Sequence, residues 1–210
     1  MVIRVGQKLP KSSEDLSGEI KSAILLLMLD AEAASVLLRE LSTEMIEEVT
    51  RILASLGDVP KERLGSARFE LSNGIPAGTA QLFASGDAVS LTVAVTGIAP
   101  GEHGFHLHTT GSCTRPDFTS AGGHLNPTGE GHGLEDDDGA HLGDLPNLSV
   151  ASNGTATKTV ALRGSRSDVL AALFDADGTA IVIHADPDDG TSEPSGNAGS
   201  RVACAVLKAS

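Results

Sequence analysis

Six of the seven histidines of this chain fall between Gly101 and Asp144, and the seventh, His184, stands alone in A-I-V-I-H-A-D. Histidine is the side chain that proteins use most often to bind metal ions. Because the chain has so few histidines, their crowding into one stretch predicts a metal site. The number of histidines in the stretch favours two metals rather than one.

This stretch opens with a predicted strand at Gly104–His108, which follows another predicted strand at Val89–Thr96. Residues two apart in a strand share a face, so His106 and His108 should point the same way, with Phe and Leu on the packed face. His103 lies two residues before Phe105 and should therefore share the packed face of the strand with Phe105 and Leu107. It is therefore predicted to be a satisfied core residue rather than a ligand.

A long loop is predicted from Thr109 to Asp144, where Gly, Pro, Asp and Thr are frequent. Loops of this length in a compact domain are usually functional. The histidines in it lie at irregular intervals that no helix or strand would align, whereas a loop can fold around an ion. The candidate ligands in this loop are His124, His132, His141 and Asp144.

Five motifs from Ser66 onward resemble those of the copper/zinc superoxide dismutases, and more closely their bacterial branch. They are H-G-F-H-L-H, S-A-G-G-H-L-N-P, H-L-G-D-L-P-N-L, I-V-I-H-A-D-P-D-D and S-G-N-A-G-S-R-V-A-C-A-V. The resemblance implies that copper is held by His106, His108, His124 and His184, and zinc by His124, His132, His141 and Asp144. His124 would then bridge the two metals. The donor types agree, because nitrogen ligands in a tetragonal set suit Cu(II), and three imidazoles with a carboxylate suit zinc.

The same resemblance implies functions for further residues. Arg201 would lie beside copper and dock the superoxide anion, although a surface charge is the alternative for a lone arginine. Asp188 would hydrogen-bond ligand histidines of both metals, with Asp189 as a less favoured substitute. Cys113 and Cys204 match the family's intrasubunit disulfide, while their spacing alone leaves two free thiols open.

The activity implied by the resemblance is dismutation of superoxide to dioxygen and hydrogen peroxide, with Arg201 and His124 as catalytic residues. Two other functions stay open. The chain could bind or deliver copper without turnover, or it could be a targeting module in which the barrel is passive. From Ser66 onward, seven Lys or Arg stand against seventeen Asp or Glu, so long-range attraction of an anionic substrate should be weak.

Short alternating segments separated by S-N-G, S-G-D and D-A-D-G turns predict an all-β sandwich or barrel after Ser66. The resemblance implies an eight-stranded Greek-key β-barrel. Hydrophobic residues make up 40% of the chain but aromatic residues only 2%, so its core must be built from Val, Leu, Ile and Ala. The net charge of −13 argues against nucleic acid as a partner, because phosphate binding needs clustered Lys and Arg.

The first part of the chain has a different pattern. Apolar residues recur there at three- and four-residue spacing, which predicts helices rather than strands. Three short helices are expected near Gly18–Leu29, Ala31–Leu41 and Thr43–Leu56. The hydrophobic period changes from helical to alternating across Lys61–Ser66, which predicts two domains, residues 1–64 and 65–210.

The segment L-S-G-E-I-K-S-A-I-L-L-L-M-L-D-A-E-A-A-S-V-L-L-R-E-L, continuing to Pro60, resembles the N-terminal helical domain of the flagellar motor-switch protein FliG. That resemblance implies a flagellar membrane-ring protein as a partner of these helices. A solvated three-helix appendage is the alternative, and a truncated or engineered fusion also stays open.

The apolar run Ala23–Leu29 invites comparison with a signal peptide. Glu14, Asp15 and Glu19 dilute the basic region that such a peptide needs, and Asp30 interrupts the approach to a cleavage site. The run is too short to span a bilayer. We therefore expect a cytoplasmic chain as encoded, although bacterial relatives are usually periplasmic. Members of the family pair differently or not at all, so a homodimer stays open.

Overall fold

The computed structural model describes residues 62–134 and 140–210. The chain divides into two units, Met1–Pro60 and Lys61–Ser210, and the described residues lie in the second. The three helices predicted between Gly18 and Leu56 lie outside the described residues. Within the described ranges, no helix is long and apolar enough to cross a membrane.

The described part of the chain is mainly β, as predicted. Its strands are β1 (Glu62–Leu71), β2 (Pro76–Ser85), β3 (Ala88–Thr96), β4 (Gly101–His103), β5 (Phe105–His108), β6 (Leu148–Val150), β7 (Thr155–Leu162), β8 (Ala180–His184), β9 (Arg201–Val206) and β10 (Lys208–Ala209). A short 3₁₀ helix covers Thr119–Ala121, and one α-helix, α1, covers Arg166–Leu173.

The strands form a curled antiparallel sheet in the order β5-β8-β9-β1-β2-β3-β7, and β10 pairs with the start of β1. Strands β4 and β6 form a separate pair. Only Gly104 separates β4 from β5, and a turn in which Ala151 N donates to Thr155 O joins β6 to β7. Both ends of the sheet are therefore connected through the chain to the β4–β6 pair.

Alternating burial explains most of these strands. In β3 every second residue is buried, and the residues between them are exposed or half-buried. This pattern suits a strand with one face on the core. The buried side chains form one large core, to which Leu91 and Ile183 contribute. Phe69 and Phe105 are also part of it, so the expectation of a core built from Val, Leu, Ile and Ala alone was wrong.

Strands β5 and β8 depart from this alternation, since every residue in both is buried. Their inner face packs on the core, and the long loop covers the outer one. Phe118 and Ala121 of that loop form a second apolar cluster with Ala180 and Val182 of β8. The outer face of β5 and β8 is thus closed off from solvent, and it carries the histidines of these strands.

Two elements also differ from the sequence-based expectation. Strand β1 begins at Glu62, inside the K-E-R-L-G-S segment where the domain junction was predicted. Helix α1 was not predicted. Its signal is visible in S-R-S-D before V-L-A-A-L, because Ser165 acts as the N-cap and its hydroxyl accepts a hydrogen bond from Asp168 N.

Candidate metal centre

Two strands and one loop bring six histidines together. His106 and His108 lie in β5, opposite Val182 and Ala180 of β8, and His184 ends β8. The long loop then folds back over β5, so that His124 forms an isolated β-bridge with His108 and Asp144 forms one with His106. The remaining loop histidines, His132 and His141, are also buried.

The first group of ligand atoms comes from His106, His108, His124 and His184, whose ring nitrogens lie within 4.8 Å of one another. Hydrogen bonds fix which nitrogen of each of these rings faces the group. His108 Nδ1 donates to Gly122 O at 2.9 Å and His184 Nδ1 to Gly199 O at 3.2 Å. Their Nε2 atoms, 3.4 Å apart, are left as acceptors.

The other two rings of this group leave a nitrogen without a partner. His106 Nε2 donates to Asp188 Oδ2 at 2.6 Å. Among the described residues, no hydrogen bond reaches His106 Nδ1 or His124 Nε2, and both atoms are buried. Since buried polar atoms are rarely left unpaired, four imidazole nitrogens without protons fit a copper ion.

The second group comes from His124, His132, His141 and Asp144. All three rings turn Nδ1 toward one carboxylate oxygen, Asp144 Oδ1, at 2.8, 3.1 and 3.1 Å. His132 also faces Asp188 Oδ1 through its Nε2, at 3.1 Å. A neutral imidazole has only one N–H and cannot donate to both carboxylates. A cation ligated by Nδ1 and Asp144 removes that conflict, so this donor set fits zinc.

His124 belongs to both groups. Its Nδ1 lies 2.8 Å from Asp144 Oδ1 of the second group, and its Nε2 is buried without a hydrogen-bond partner. The two nitrogens of an imidazole point in different directions from one planar ring. One side chain therefore joins the two sets of ligand atoms.

Burial keeps several of these rings neutral, which is the form that binds metals. Desolvation lowers the pKa of His108 to about 2, that of His184 to about 3 and that of His124 to about 4. For Asp144, burial favours a higher pKa, but hydrogen bonds from His124 and Gly133 outweigh it and hold the pKa well below its usual range. The carboxylate is therefore charged at neutral pH.

Asp188 lies between the two groups. Its Oδ2 accepts from His106 Nε2 at 2.6 Å and its Oδ1 faces His132 Nε2 at 3.1 Å. Asn147 holds the backbone of Asp188 on both sides, since its Nδ2 donates to Asp188 O and its Oδ1 accepts from Asp188 N, each at 2.9 Å. Asp189 is instead exposed and bonds within its own loop, to Thr191 N and Ser192 N.

A cavity of about 400 Å³ opens onto the first group, and Arg201 lies in its wall with His108, His124 and His184. Arg201 Nη1 donates to Phe118 O and Nη2 to Gly122 O, both at 2.6 Å. Burial lowers the pKa of this guanidinium from its ordinary value, but an arginine keeps its charge in proteins. The arrangement directs a fixed positive charge at whatever enters the cavity.

Cys113 and Cys204 form a disulfide bond, as the resemblance implied. The bond ties the beginning of the long loop to β9, next to Phe118 and Ala121. His103 is buried outside both groups, where its ring nitrogens lie 2.8 Å from His184 O and Ala99 O. It is therefore a buried core residue rather than a ligand, as predicted, with both ring nitrogens facing backbone carbonyl oxygens.

Three residues that contact the centre were not singled out from the sequence. Gly122 O accepts from both His108 and Arg201, Asn147 holds Asp188, and Glu193 Oε1 accepts from His132 N at 2.6 Å. Gly122 and Asn147 stand inside the recognised motifs A-G-G-H and L-P-N-L. Nothing in the spacing of Glu193 indicates its contact.

Comparison with known proteins supports both resemblances. A family model for copper/zinc superoxide dismutase matches residues 76–207. A model for the FliG N-terminal domain matches residues 15–91, so that its range runs into β1, β2 and β3. The resemblance of the early part of the chain to FliG is confirmed by this match.

Individual relatives also support the resemblance to copper/zinc superoxide dismutases. The Cu-Zn superoxide dismutase of Caulobacter vibrioides is 40% identical over 149 residues, covering 68% of this chain and 84% of the relative. Cu-Zn superoxide dismutase 1 of Aquifex aeolicus is 39% identical over 137 residues, 62% of this chain and 79% of the relative. Superoxide dismutase-like protein YojM of Bacillus subtilis is 40% identical over 128 residues, 58% of this chain and 63% of the relative.

Solved structures share the fold. A SOD-like protein from Bacillus subtilis superposes with a TM-score of 0.62 at 32% identity, covering 68% of this chain and 97% of that one. The Cu/Zn superoxide dismutase from Brucella abortus gives a TM-score of 0.55 at 26% identity, covering 68% of this chain and 98% of that one.

Proposed function

This chain belongs to the copper/zinc superoxide dismutase family, whose cofactors are copper and zinc, and we propose that it converts superoxide to dioxygen and hydrogen peroxide at a centre bridged by His124. One observation carries the proposal. Both groups include His124, whose Nδ1 faces Asp144 and whose Nε2 is buried without a hydrogen-bond partner.

The residues divide into two ligand sets. Copper would be held by His106, His108, His124 and His184, and zinc by His124, His132, His141 and Asp144. When bound, copper supplies the one-electron redox chemistry of the reaction. Asp188 positions the centre from outside by accepting a hydrogen bond from His106 and facing His132.

Substrate binding and proton handling fall to two residues that line the same cavity. Arg201 binds and orients the superoxide anion, because its guanidinium is already fixed by two carbonyl oxygens and needs no reorganisation. His124 Nε2 would ligate copper without a proton, and it is the atom at which the chain can hold a proton for the peroxide product when it is not acting as a ligand. The tethered loop around Phe118 and Ala121 keeps water away from the strands behind the site.

The architecture proposed for the chain from Glu62 onward is an eight-stranded Greek-key barrel, in which β4 and β5 count as one strand interrupted at Gly104 and the two-residue β10 extends β9. For the residues before Glu62 we propose three helices that dock on a flagellar membrane-ring protein. The match to the FliG N-terminal domain supports this partner.

The test uses the full chain loaded with copper and zinc, together with its His124→Ala and His132→Ala variants. Metal content and superoxide consumption are measured on the same samples. The chain has no Trp or Tyr, so its concentration is taken from amino-acid analysis. We expect consumption well above that of the same amount of free copper.

His124→Ala should disturb both metals, because one ring serves both groups, whereas the matched variant His132→Ala should weaken zinc and leave copper bound. A His124→Ala variant with full zinc and a normal copper spectrum would disprove the bridge. Wild-type protein that binds both metals yet consumes no more superoxide than free copper would be a copper-binding protein without turnover.

A further inference from the structure

Glu193 connects the rim of the cavity to one of the zinc ligands. It stands in the loop between β8 and β9, directly before Pro194 and Ser195, which line the cavity. Its side chain reaches across to the long loop, where Oε1 accepts a hydrogen bond from His132 N at 2.6 Å. The two residues are 61 positions apart in the sequence, so this bond joins two separate loops.

This hydrogen bond ends on the backbone of a residue whose side chain is fully buried. The His132 side chain has no exposed surface, and its ring lies between Asp144 Oδ1 and Asp188 Oδ1, each 3.1 Å away. The ring can keep both contacts only if its backbone stays in place. Glu193 is the side chain that holds that backbone at its N–H.

The two loops touch closely around this contact. A Cβ on Gly133 would lie 1.9 Å from Gly190 O, and a Cβ on Gly196 would lie 2.7 Å from His132 Nε2. The glycines permit the approach but cannot hold it, because they offer no side chain. A carboxylate accepting from a backbone N–H forms a charge-assisted hydrogen bond, which is stronger than a neutral one.

We propose that Glu193 is a positioning residue of the zinc site, whose carboxylate fixes the backbone of His132 and couples zinc retention to the ordering of the cavity rim. This inference rests on the proposed function, in which His132 ligates zinc. Because such coupling is reciprocal, zinc should in turn order the loop that carries Pro194 and Ser195.

Truncation of Glu193 removes the acceptor of an amide on a buried residue, and such an unpaired group is costly. In Glu193→Ala, zinc release from the fully metallated full chain to the chelator 4-(2-pyridylazo)resorcinol should therefore be about tenfold faster than in the wild type. Glu193→Gln keeps an amide oxygen as acceptor, so its release rate should lie close to that of the wild type.

A second readout separates positioning from general loop stability. Exchange of the His132 amide proton, followed by NMR, should accelerate in Glu193→Ala and be largely restored in Glu193→Gln. The matched control is Glu130→Ala, since Glu130 is an exposed acid of the long loop whose hydrogen bonds with Asn126 use only its backbone. His132→Ala serves as the reference for loss of the ligand itself.

Each outcome decides a different question. Faster zinc release in Glu193→Ala, with rescue by Glu193→Gln and no change in Glu130→Ala, supports the proposal. If Glu193→Ala releases zinc at the wild-type rate, or if Glu130→Ala releases zinc as fast as Glu193→Ala does, the positioning role of Glu193 is wrong. The proposed function still stands in that case if His132→Ala releases zinc quickly. Wild-type release in His132→Ala would instead overturn the ligand assignment.

Discussion

Arg201 is held in place before any substrate arrives, because Phe118 O and Gly122 O both accept from its terminal nitrogens at 2.6 Å. Arg201→Ala should lower kcat/KM for superoxide about tenfold or more, since a hydrogen-bonding charged partner is worth about 1.5–3 kcal/mol. Copper and zinc contents should stay unchanged, as Arg201 belongs to neither group of ligand atoms. Steady-state kinetics at low ionic strength, with metal analysis, measure both.

Arg166→Ala is the matched control for this loss of one positive charge. Arg166 pairs with Glu62 at 2.6 Å at the start of α1 and does not line the cavity. If both variants lost the same activity, the overall charge of the molecule rather than a docking role of Arg201 would explain the loss.

Gly122 shows how much can depend on one backbone carbonyl. Its oxygen accepts from His108 Nδ1 and from Arg201 Nη2, so it fixes a ligand ring and the docking cation together. The residue has a φ of +76°, and a Cβ there would lie 2.4 Å from Thr109 Oγ1. Glycine suits this position for both reasons.

At the scale of elements, the long loop depends on its covalent tether to β9. The Cys113–Cys204 bond closes a segment with a sequence separation of 91, for which the chain-entropy model gives a stabilisation of about 4–5 kcal/mol. The double variant Cys113→Ser/Cys204→Ser should lower the free energy of unfolding by up to about that amount. Urea unfolding of both proteins without metals is the measurement.

The same variant should also lose activity when its metals are restored, because Phe118 lies in the tethered segment and its carbonyl holds Arg201. Equal urea midpoints for the two proteins would contradict the stabilising role of the bond. Lower stability with unchanged kcat/KM would show that the loop keeps Arg201 in place without its tether.

The elements differ in how far the sequence could predict them. Strand β3 follows from the alternation of apolar and polar residues, and the candidate ligands follow from short motifs in which neighbouring residues act together. Helix α1 has a hydrophobic pattern of only two turns, with Val169 and Leu173 buried, too short to stand out. The contact of Glu193 with His132 depends on how two loops meet in space, which spacing along the chain does not specify.

For the whole molecule, the net charge has the opposite sign to the charge in the cavity wall. The chain carries a net charge of −13. Of the described residues that line the cavity, Arg201 is the one with a charged side chain, and that charge is positive. Recognition of an anion must then depend on contacts inside the cavity rather than on attraction from a distance, since exposed charges are screened beyond about 10 Å at 0.1 M salt.

The ligand groups, the disulfide and the cavity all lie after Pro60, so the second unit should function alone. A fragment covering Lys61–Ser210 is expected to fold, bind copper and zinc and consume superoxide at the rate of the full chain. Unfolding curves, metal analysis and kinetics on both proteins are the measurements.

A second fragment that begins at Ser66 tests where the boundary lies. It would lose the pairing of Glu62 with Ala84 and of Gly65 with Leu82 and Ala209, as well as the ion pair from Glu62 to α1. It should therefore unfold at a lower urea concentration than the Lys61 fragment while still binding metals, because every ligand is retained. If instead the Lys61 fragment aggregated or released metals under conditions in which the full chain keeps them, the two units would not be separable, and residues before Lys61 would be protecting a surface that the β domain cannot expose.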